Sequence, residues 1–88
     1  MAWRIELTET ATRQLRKLDR SEAKRITTFL RDRIGMLDDP RSTGNALTGP
    51  LGNYWRYRVG DYRIICDIRD KVLVILVIAI GNRKEIYR

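Results

Sequence analysis

The sequence predicts an α+β fold: a small, mainly antiparallel four-stranded sheet with an N-terminal two-helix hairpin packed on one face. An alternating segment opens the chain, two segments with helical spacing of apolar residues follow it, and three strand-like segments complete it. Runs of helix and of strand, rather than regular alternation, are typical of α+β folds. With 88 residues and no visible linker or repeat, we expect residues 1–88 to form a single domain in the order β-α-α-β-β-β.

The first half of the chain predicts one strand and two helices. The segment AWRIEL alternates apolar and polar side chains, as a half-buried strand does. Thr8 or Thr10 can cap the first helix, and Asp19 with Glu22 resembles the capping box that opens the second. The second helix is expected to end at Asp38-Asp39-Pro40, because a residue that precedes proline disfavours the α region. The expected buried stripes are Ala11, Leu15 and Leu18, then Ala23, Ile26, Leu30, Ile34 and Leu37.

Gly60 and Asp61 predict a β-hairpin, because they lie between two alternating runs. Such a pair favours a two-residue turn with a positive φ at its first position. In the register that this turn imposes, Arg58 is opposite Arg63. The side expected to face the core carries Trp55, Tyr57, Val59, Tyr62, Ile64 and Cys66. The other side carries the three arginines Arg56, Arg58 and Arg63, and Tyr54 is expected to lie opposite Asp67 on this side.

The segments on either side of this hairpin differ in character. Residues 41–53 are rich in glycine and include Pro50, so we expect a long loop, which favours a binding role in so small a domain. After a turn at Asp70-Lys71, residues 72–80 form a continuous apolar run that Gly81 ends. A run of this kind is typical of a central strand covered on both faces.

Composition narrows the possible functions. A formal net charge of +7 and a pI near 10.2 indicate a polyanionic or acidic partner rather than a neutral small substrate. Histidine is absent, so proton transfer has to use tyrosine, lysine or a carboxylate, and we expect no metal and no cofactor. Cys66 is the single cysteine, which excludes an internal disulfide and favours a cytoplasmic setting. No apolar run approaches the length of a membrane span.

Arginine side chains are expected to gather on the sheet face opposite the helices. Arg56, Arg58 and Arg63 lie there in the predicted register, and the C-terminal tail could fold over this open face. Like charges directly opposed on two strands are destabilising, so the cluster suggests that an anion is bound. A solvated basic face whose long side chains splay apart is the alternative. Basic residues on the helices, Arg25 among them, are expected to be solvated and to matter less.

Several motifs resemble those of the RelE-type toxins of bacterial toxin–antitoxin pairs. The similar segments are LTGPLGNYWRYRVGDYRIICDI, the apolar strand after it and the ending IGNRKEIYR, and the resemblance covers essentially the whole chain. The most specific parts are R-x-R-V-G-D-Y-R and G-x-R-x-x-x-Y. The resemblance implies a toxin that enters the ribosomal A-site and cleaves mRNA there, with the RNA's own 2′-hydroxyl as nucleophile. It also implies a cognate acidic antitoxin.

The resemblance implies a role for five residues. Arg56 and Arg58 would stabilise the charge of the in-line transition state, and Arg63 would contact a phosphate. Arg83 would face the scissile phosphate or the leaving 5′ oxygen, and Tyr87 would orient or deprotonate the 2′-hydroxyl. Some family members have lysine in place of Arg56 and Arg58, and many have histidine in place of Asn82, so we expect catalysis to depend mainly on electrostatics and positioning. The remaining residues expected to bind RNA are Tyr54, Lys84 and Arg88.

Two other functions fit the same sequence. The related ParE-type toxins share the architecture but inhibit DNA gyrase without cleaving nucleic acid, and Arg83 and Tyr87 favour the nuclease over them. A non-catalytic basic module would instead bind RNA or DNA in a salt-sensitive manner and leave it intact.

Overall fold

The computed structural model describes residues 2–82 and contains a five-stranded sheet with its helices on one face. The strand order is β1-β5-β4-β3-β2, with β1 parallel to β5 and the other neighbours antiparallel. The α+β class is confirmed, but the predicted four strands are corrected to five. The strands are β1 (Arg4–Leu7), β2 (Asn45–Ala46), β3 (Trp55–Val59), β4 (Tyr62–Arg69) and β5 (Val74–Asn82), and the helices are α1 (Glu9–Arg16) and α2 (Arg20–Thr28).

The two helices begin near the predicted residues, but only one has the predicted type of cap. Thr8 is the N-cap of α1, and its Oγ1 accepts a hydrogen bond from the Ala11 backbone N–H at 3.1 Å. Asp19 is the N-cap of α2, yet its side chain makes no capping hydrogen bond. The predicted capping box is therefore wrong. Asp19 is exposed, so water can solvate its carboxylate in place of the backbone donors.

The backbone beyond Thr28 continues as a π-helix over Phe29–Ile34, which the sequence did not predict. The Gly35 N–H donates to the carbonyl of Leu30 at 2.8 Å, the five-residue spacing of a π turn. The helical segment thus ends at Ile34, before the predicted end at Asp38. Ile26, Leu30 and Ile34 are all fully buried, as the apolar spacing predicted.

The β3–β4 hairpin has the predicted turn and register. Gly60 has a φ of 58°, and the paired residues include Val59 with Tyr62 and Arg58 with Arg63. The β3–β4 pairing ends at Trp55 with Cys66, so the predicted pairing of Tyr54 with Asp67 is wrong. Tyr54 instead continues the pairing with β2, since its carbonyl accepts a hydrogen bond from Leu47 N–H at 3.1 Å.

Strand β5 is central, as predicted, and lies between β1 and β4. It begins later than the apolar run, because a 3-10 turn at Asp70–Val72 precedes it, and it continues through Gly81 to Asn82. A bulge shifts the β4–β5 register between Ile65 and Cys66. Val77 and Ile80 consequently both face the core although they are three residues apart.

The predicted long loop contains structure of its own. It includes β2, which pairs with Trp55 and Arg56, and 3-10 turns at Pro40–Ser42 and Gly49–Leu51. A strand of two exposed residues carries no alternation that a sequence pattern could reveal.

The core lies between the helices and the sheet face that carries Tyr57 and Cys66. The predicted orientation of the hairpin is correct: Tyr57, Val59, Ile64 and Cys66 are buried, and Trp55 and Tyr62 pack half-buried against the core. None of the helices in residues 2–82 has the length and apolar character needed to cross a bilayer.

Candidate functional site

The centre of the candidate site is a pair of arginines at the end of the hairpin. Arg58 on β3 is directly opposite Arg63 on β4, on the sheet face away from the helices. Two like charges in this position destabilise the strand pair by some tenths of a kcal/mol. A phosphate between the two guanidiniums would remove that repulsion, because arginine binds phosphate through charge-assisted, bidentate hydrogen bonds.

The exposure of these arginines corrects one expectation. The face opposite the helices is not uniformly open, because Arg63 is only 8% exposed and Ile65, on the same face, is 3% exposed. β4 is an inner strand with neighbours on both sides, so adjacent side chains cover the stems of its residues. Arg58 is exposed, and Arg56 is half-buried. Arg58 is therefore the more accessible of the two opposed arginines to a ligand.

A small cavity lies at the hairpin turn, and a helix arginine approaches the same turn. The cavity encloses about 60 Å³ and is lined by Arg58, Gly60, Asp61 and Arg63. Arg25 reaches this turn from α2, since its Nη1 lies 3.0 Å from the position that a Cβ would occupy on Gly60. Periodicity assigned Arg25 to a solvated helix face, and no pattern in the sequence indicates that α2 crosses the end of the hairpin.

The described part of β5 ends at this same end of the sheet. Asn82, the last described residue, pairs with Tyr62, which directly follows the turn, and Gly81 pairs with Arg63. The side chain of Gln14 on α1 holds this end of β5, because its Oε1 accepts a hydrogen bond from the Ile80 N–H at 2.6 Å. The predicted site residues Arg83, Lys84, Tyr87 and Arg88 lie outside the described residues.

Tyr54, predicted to bind RNA, directly precedes β3 and is half-buried. The structure therefore brings Arg58 and Arg63 together, with Arg56 on the same face. Tyr54 lies just before the start of β3, which is the end away from the turn.

The titratable groups buried in the described core do not contribute proton transfer at neutral pH. Burial raises the pKa of the Tyr57 phenol, whose hydroxyl donates to the carbonyl of Pro40 at 2.6 Å. Burial likewise raises the pKa of the Cys66 thiol. Within residues 2–82, no three His, Cys, Asp or Glu side chains come close enough together to hold a metal ion. What this part of the chain offers a ligand is fixed positive charge.

Comparison with known proteins identifies the family. A family model described as the ParE toxin of the type II toxin–antitoxin system parDE matches residues 5–87. The chain belongs to the ParE toxin family. This toxin is also similar to the mRNA interferase toxin RelE of Escherichia coli K12, with 29% identity over 90 residues that cover 99% of this chain and 92% of RelE. The predicted membership of the RelE/ParE superfamily is confirmed.

Solved structures of related toxins have the same fold. The toxin matches a chain of the RelBE2 complex from Mycobacterium tuberculosis with a TM-score of 0.86 and 22% identity, covering 97% of this chain and 95% of that one. It matches a chain of the RelE–RelB complex from Pyrococcus horikoshii with a TM-score of 0.73 and 26% identity, covering 97% and 99%. Both of these related structures are toxin–antitoxin complexes.

Proposed function

We propose that this toxin is a ribosome-dependent endoribonuclease that cleaves mRNA in the A-site and so inhibits translation. The observation that carries the proposal is the opposed pair of Arg58 and Arg63, with Arg56 on the same sheet face. The similarity to a protein named mRNA interferase toxin RelE supports the same activity. The substrate is a phosphodiester, whose transition state gains negative charge that fixed guanidiniums stabilise.

The proposed reaction uses the RNA as its own nucleophile and requires no metal ion. The 2′-hydroxyl loses its proton and attacks the adjacent phosphorus, so a 2′-O–P bond forms as the P–O5′ bond breaks. The products are a 2′,3′-cyclic phosphate and a 5′-hydroxyl, which forms when the leaving 5′ oxygen takes up a proton. Arg56 and Arg58 stabilise the charge on the phosphoryl oxygens, and Arg63 holds a phosphate.

The remaining proposed roles fall to the tail. Arg83 faces the scissile phosphate or the leaving oxygen, and Tyr87 orients or deprotonates the 2′-hydroxyl. A tyrosine has an ordinary pKa near 10, so its phenol becomes an effective base only where positive charge lowers that pKa. Tyr54, Lys84 and Arg88 add contacts to the RNA. Because arginine stays protonated, its contribution is electrostatic rather than proton transfer.

The proposed protein partner is a cognate acidic antitoxin that covers the basic face. The related structures are complexes with RelB antitoxins in which the toxin chain has this fold. A net charge of +7 would accelerate association with an acidic partner. We propose a cytoplasmic location, where ribosomes, mRNA and the antitoxin meet, a single domain over residues 1–88, and no small-molecule cofactor.

Primer extension on mRNA bound to purified translating ribosomes tests the activity. The wild type should produce cuts within the A-site codon. Arg58→Ala and Arg63→Ala should each reduce the cleavage rate by roughly 10- to 150-fold, the equivalent of one charge-assisted contact. Arg4→Ala is the matched control, because Arg4 lies on β1 at the far edge of the sheet and pairs with Glu6. Equal rates for Arg58→Ala and Arg4→Ala would contradict the site, and thermal unfolding checks that each variant is folded.

Inhibition of DNA gyrase is the second candidate, because the family model that matches residues 5–87 is described as the ParE toxin. A supercoiling assay with purified gyrase distinguishes the two functions. Inhibition of supercoiling by a folded wild type that makes no cuts on ribosomes would replace the nuclease with this function. The Arg58–Arg63 surface would then be a docking surface for protein.

A further inference from the structure

A second basic groove lies at the outer edge of β3. Strand β2 pairs only with Trp55 and Arg56, so beyond Arg56 the described part of the chain provides no further strand on this side of β3. The groove encloses about 380 Å³. The side chains that supply its chemistry are Phe29, Arg33, Thr43, Asn45, Arg56 and Arg58.

One wall of this groove is the loop before β2, and several contacts hold the loop in place. The Tyr57 hydroxyl donates to the carbonyl of Pro40 at 2.6 Å, and the Trp55 indole Nε1–H donates to the carbonyl of Thr43 at 2.7 Å. Gly44 has a φ of 85°, and a Cβ there would lie 2.5 Å from the Arg56 carbonyl oxygen. The wall is therefore built before a ligand arrives, which lowers the entropy cost of binding.

The other wall is the π-helical segment. The guanidinium carbon of Arg33 lies 5.8 Å from the centre of the Phe29 ring, a cation–π arrangement. Phe29 in turn packs edge-to-face on the buried Tyr57, with ring centres 6.1 Å apart. The packing of the ring on the core limits its movement. Arg33 is exposed, so this wall presents a planar cation and an aromatic ring to the groove.

The chemistry of the groove matches a nucleotide. Three guanidiniums can bind phosphate, Phe29 and Arg33 offer flat surfaces on which a base can stack, and the Asn45 amide can hydrogen-bond to a base edge. Among residues 2–82, no acidic side chain lines the groove. An acidic peptide could pair with the guanidiniums, but it would make no use of the aromatic ring.

Arg58 connects this groove to the candidate site, because it lines both the groove and the cavity at the hairpin turn. We propose that the groove binds one nucleotide of single-stranded RNA next to the phosphate held by Arg58 and Arg63. The proposal rests on the proposed ribonuclease function and adds a subsite to it. Arg33, Phe29 and Asn45 are the RNA-binding residues of this subsite.

Binding of an RNA hexamer that cannot be cleaved tests the proposal separately from catalysis. The probe is a fluorescein-labelled hexanucleotide with 2′-fluoro sugars, which lack the 2′-hydroxyl nucleophile, and the readout is fluorescence anisotropy with purified toxin. Arg33→Ala should weaken binding about 10-fold, the loss of one charge-assisted contact. Asn45→Ala should weaken it about threefold without any change in charge.

Arg31→Ala is the matched control for Arg33→Ala. It lies in the same π-helical segment and removes the same charge, but it lies beside Asp32 and borders a different groove, with Trp3 and Leu30. It should change the affinity by less than about twofold, as expected for a screened surface charge. Arg33 and Asn45 are exposed, so each substitution should lower the thermal unfolding midpoint by no more than a few degrees, and binding is measured well below that midpoint.

Two results would overturn the proposal. Equal affinities of Arg33→Ala and Arg31→Ala for the hexamer would show that the groove contributes only general positive charge. A glutamate hexapeptide that binds as tightly as the RNA, with the same dependence on Arg33, would assign the groove to an acidic protein segment. Hexamer binding that depends on Arg33, in a toxin that makes no cuts on ribosomes, would contradict the nuclease function and leave the RNA groove in place.

Discussion

Arg25 on α2 touches the turn of the β3–β4 hairpin at Gly60, with its Nη1 3.0 Å from the position that a Cβ would take there. A residue of α2 thus brings a positive charge to the turn of a hairpin that is far from it in sequence. This relationship changes the expected importance of Arg25, which its exposed position on an amphipathic helix would otherwise make minor.

We expect Arg25→Ala to reduce the rate of mRNA cleavage on ribosomes by about fivefold to 10-fold, because it removes a charge beside the turn that joins the strands of Arg58 and Arg63. Arg20→Ala, on the same helix and also exposed, should change the rate by less than about twofold. Primer extension measures both variants under the same conditions. Indistinguishable rates for the two would mean that Arg25 is only a solvated helix residue.

Tyr57 fixes the loop after the π-helical segment to the sheet. Its buried hydroxyl donates to the Pro40 carbonyl at 2.6 Å, so Tyr57→Phe leaves that carbonyl without this donor. We expect the free energy of unfolding to fall by about 1–3 kcal/mol. Urea denaturation followed by tryptophan fluorescence measures it. Tyr62→Phe, half-buried at the end of the same hairpin, is the control and should lose less; the reverse order would contradict the assignment.

Gln14 acts as a substitute for a neighbouring strand. β1 pairs with β5 only as far as Val77, and beyond it the Gln14 Oε1 accepts the hydrogen bond from the Ile80 N–H. Gln14→Met should therefore lower the free energy of unfolding by about 1–3 kcal/mol and speed amide exchange at Ile80. Gln14→Glu keeps an acceptor at this position and should retain most of the protection. Unchanged exchange in Gln14→Met, measured by NMR, would show that the bond does not hold the strand end.

The buried thiol of Cys66 predicts a loss of stability at alkaline pH. Burial raises its pKa in the folded state above the ordinary value of 9.0, so the unfolded chain releases the proton first. The stabilisation is complete below about pH 9 and decreases above it, by at most about 1.4 kcal/mol per pH unit from this group. Tyr57 adds a contribution of the same sign above about pH 10, since burial raises its pKa as well.

Urea denaturation between pH 8 and pH 11 measures this slope. Cys66→Ala should have a shallower decline than the wild type, although its stability at pH 8 is lower because the substitution leaves a small cavity. Parallel curves for the two proteins would mean that Cys66 does not titrate on unfolding. Cys66 has 0% exposure, so the comparison concerns a thiol that water does not reach in the folded state.

The elements predicted well are those in which one local signal dominates. Gly60 tolerates a positive φ, and the two-residue turn that it forms sets the register of every pair in the β3–β4 hairpin. Apolar spacing likewise identified Ile26, Leu30 and Ile34 as core residues, although the segment from Phe29 onward is π-helical. Errors occurred where water competes with the backbone for a side chain. Asp19 is the example, because its exposed carboxylate makes no hydrogen bond to the N–H groups of the helix.

The candidate site divides in the same way. The opposition of Arg58 and Arg63 follows from the turn, and a turn is a local property. The burial of Arg63 depends on which strands flank β4, and the approach of Arg25 depends on how α2 crosses the hairpin. The Arg33 groove required both β2, which has no periodic pattern, and the π-helical geometry of Phe29–Ile34, which the apolar spacing of that segment does not distinguish from an α-helix.

The amino-acid sequence by itself determined that this toxin is basic, that it has an α+β fold, and that a hairpin aligns two arginines. Only the tertiary structure decided that Arg25 lies beside the turn of that hairpin, that Gln14 closes the end of β5, and that Arg58 borders two adjoining basic cavities. The physical reason is the separation along the chain over which each kind of signal acts. Turn and periodicity signals act between residues a few positions apart, whereas these contacts join residues whose separation along the chain has no regular spacing and is set by packing of the whole core.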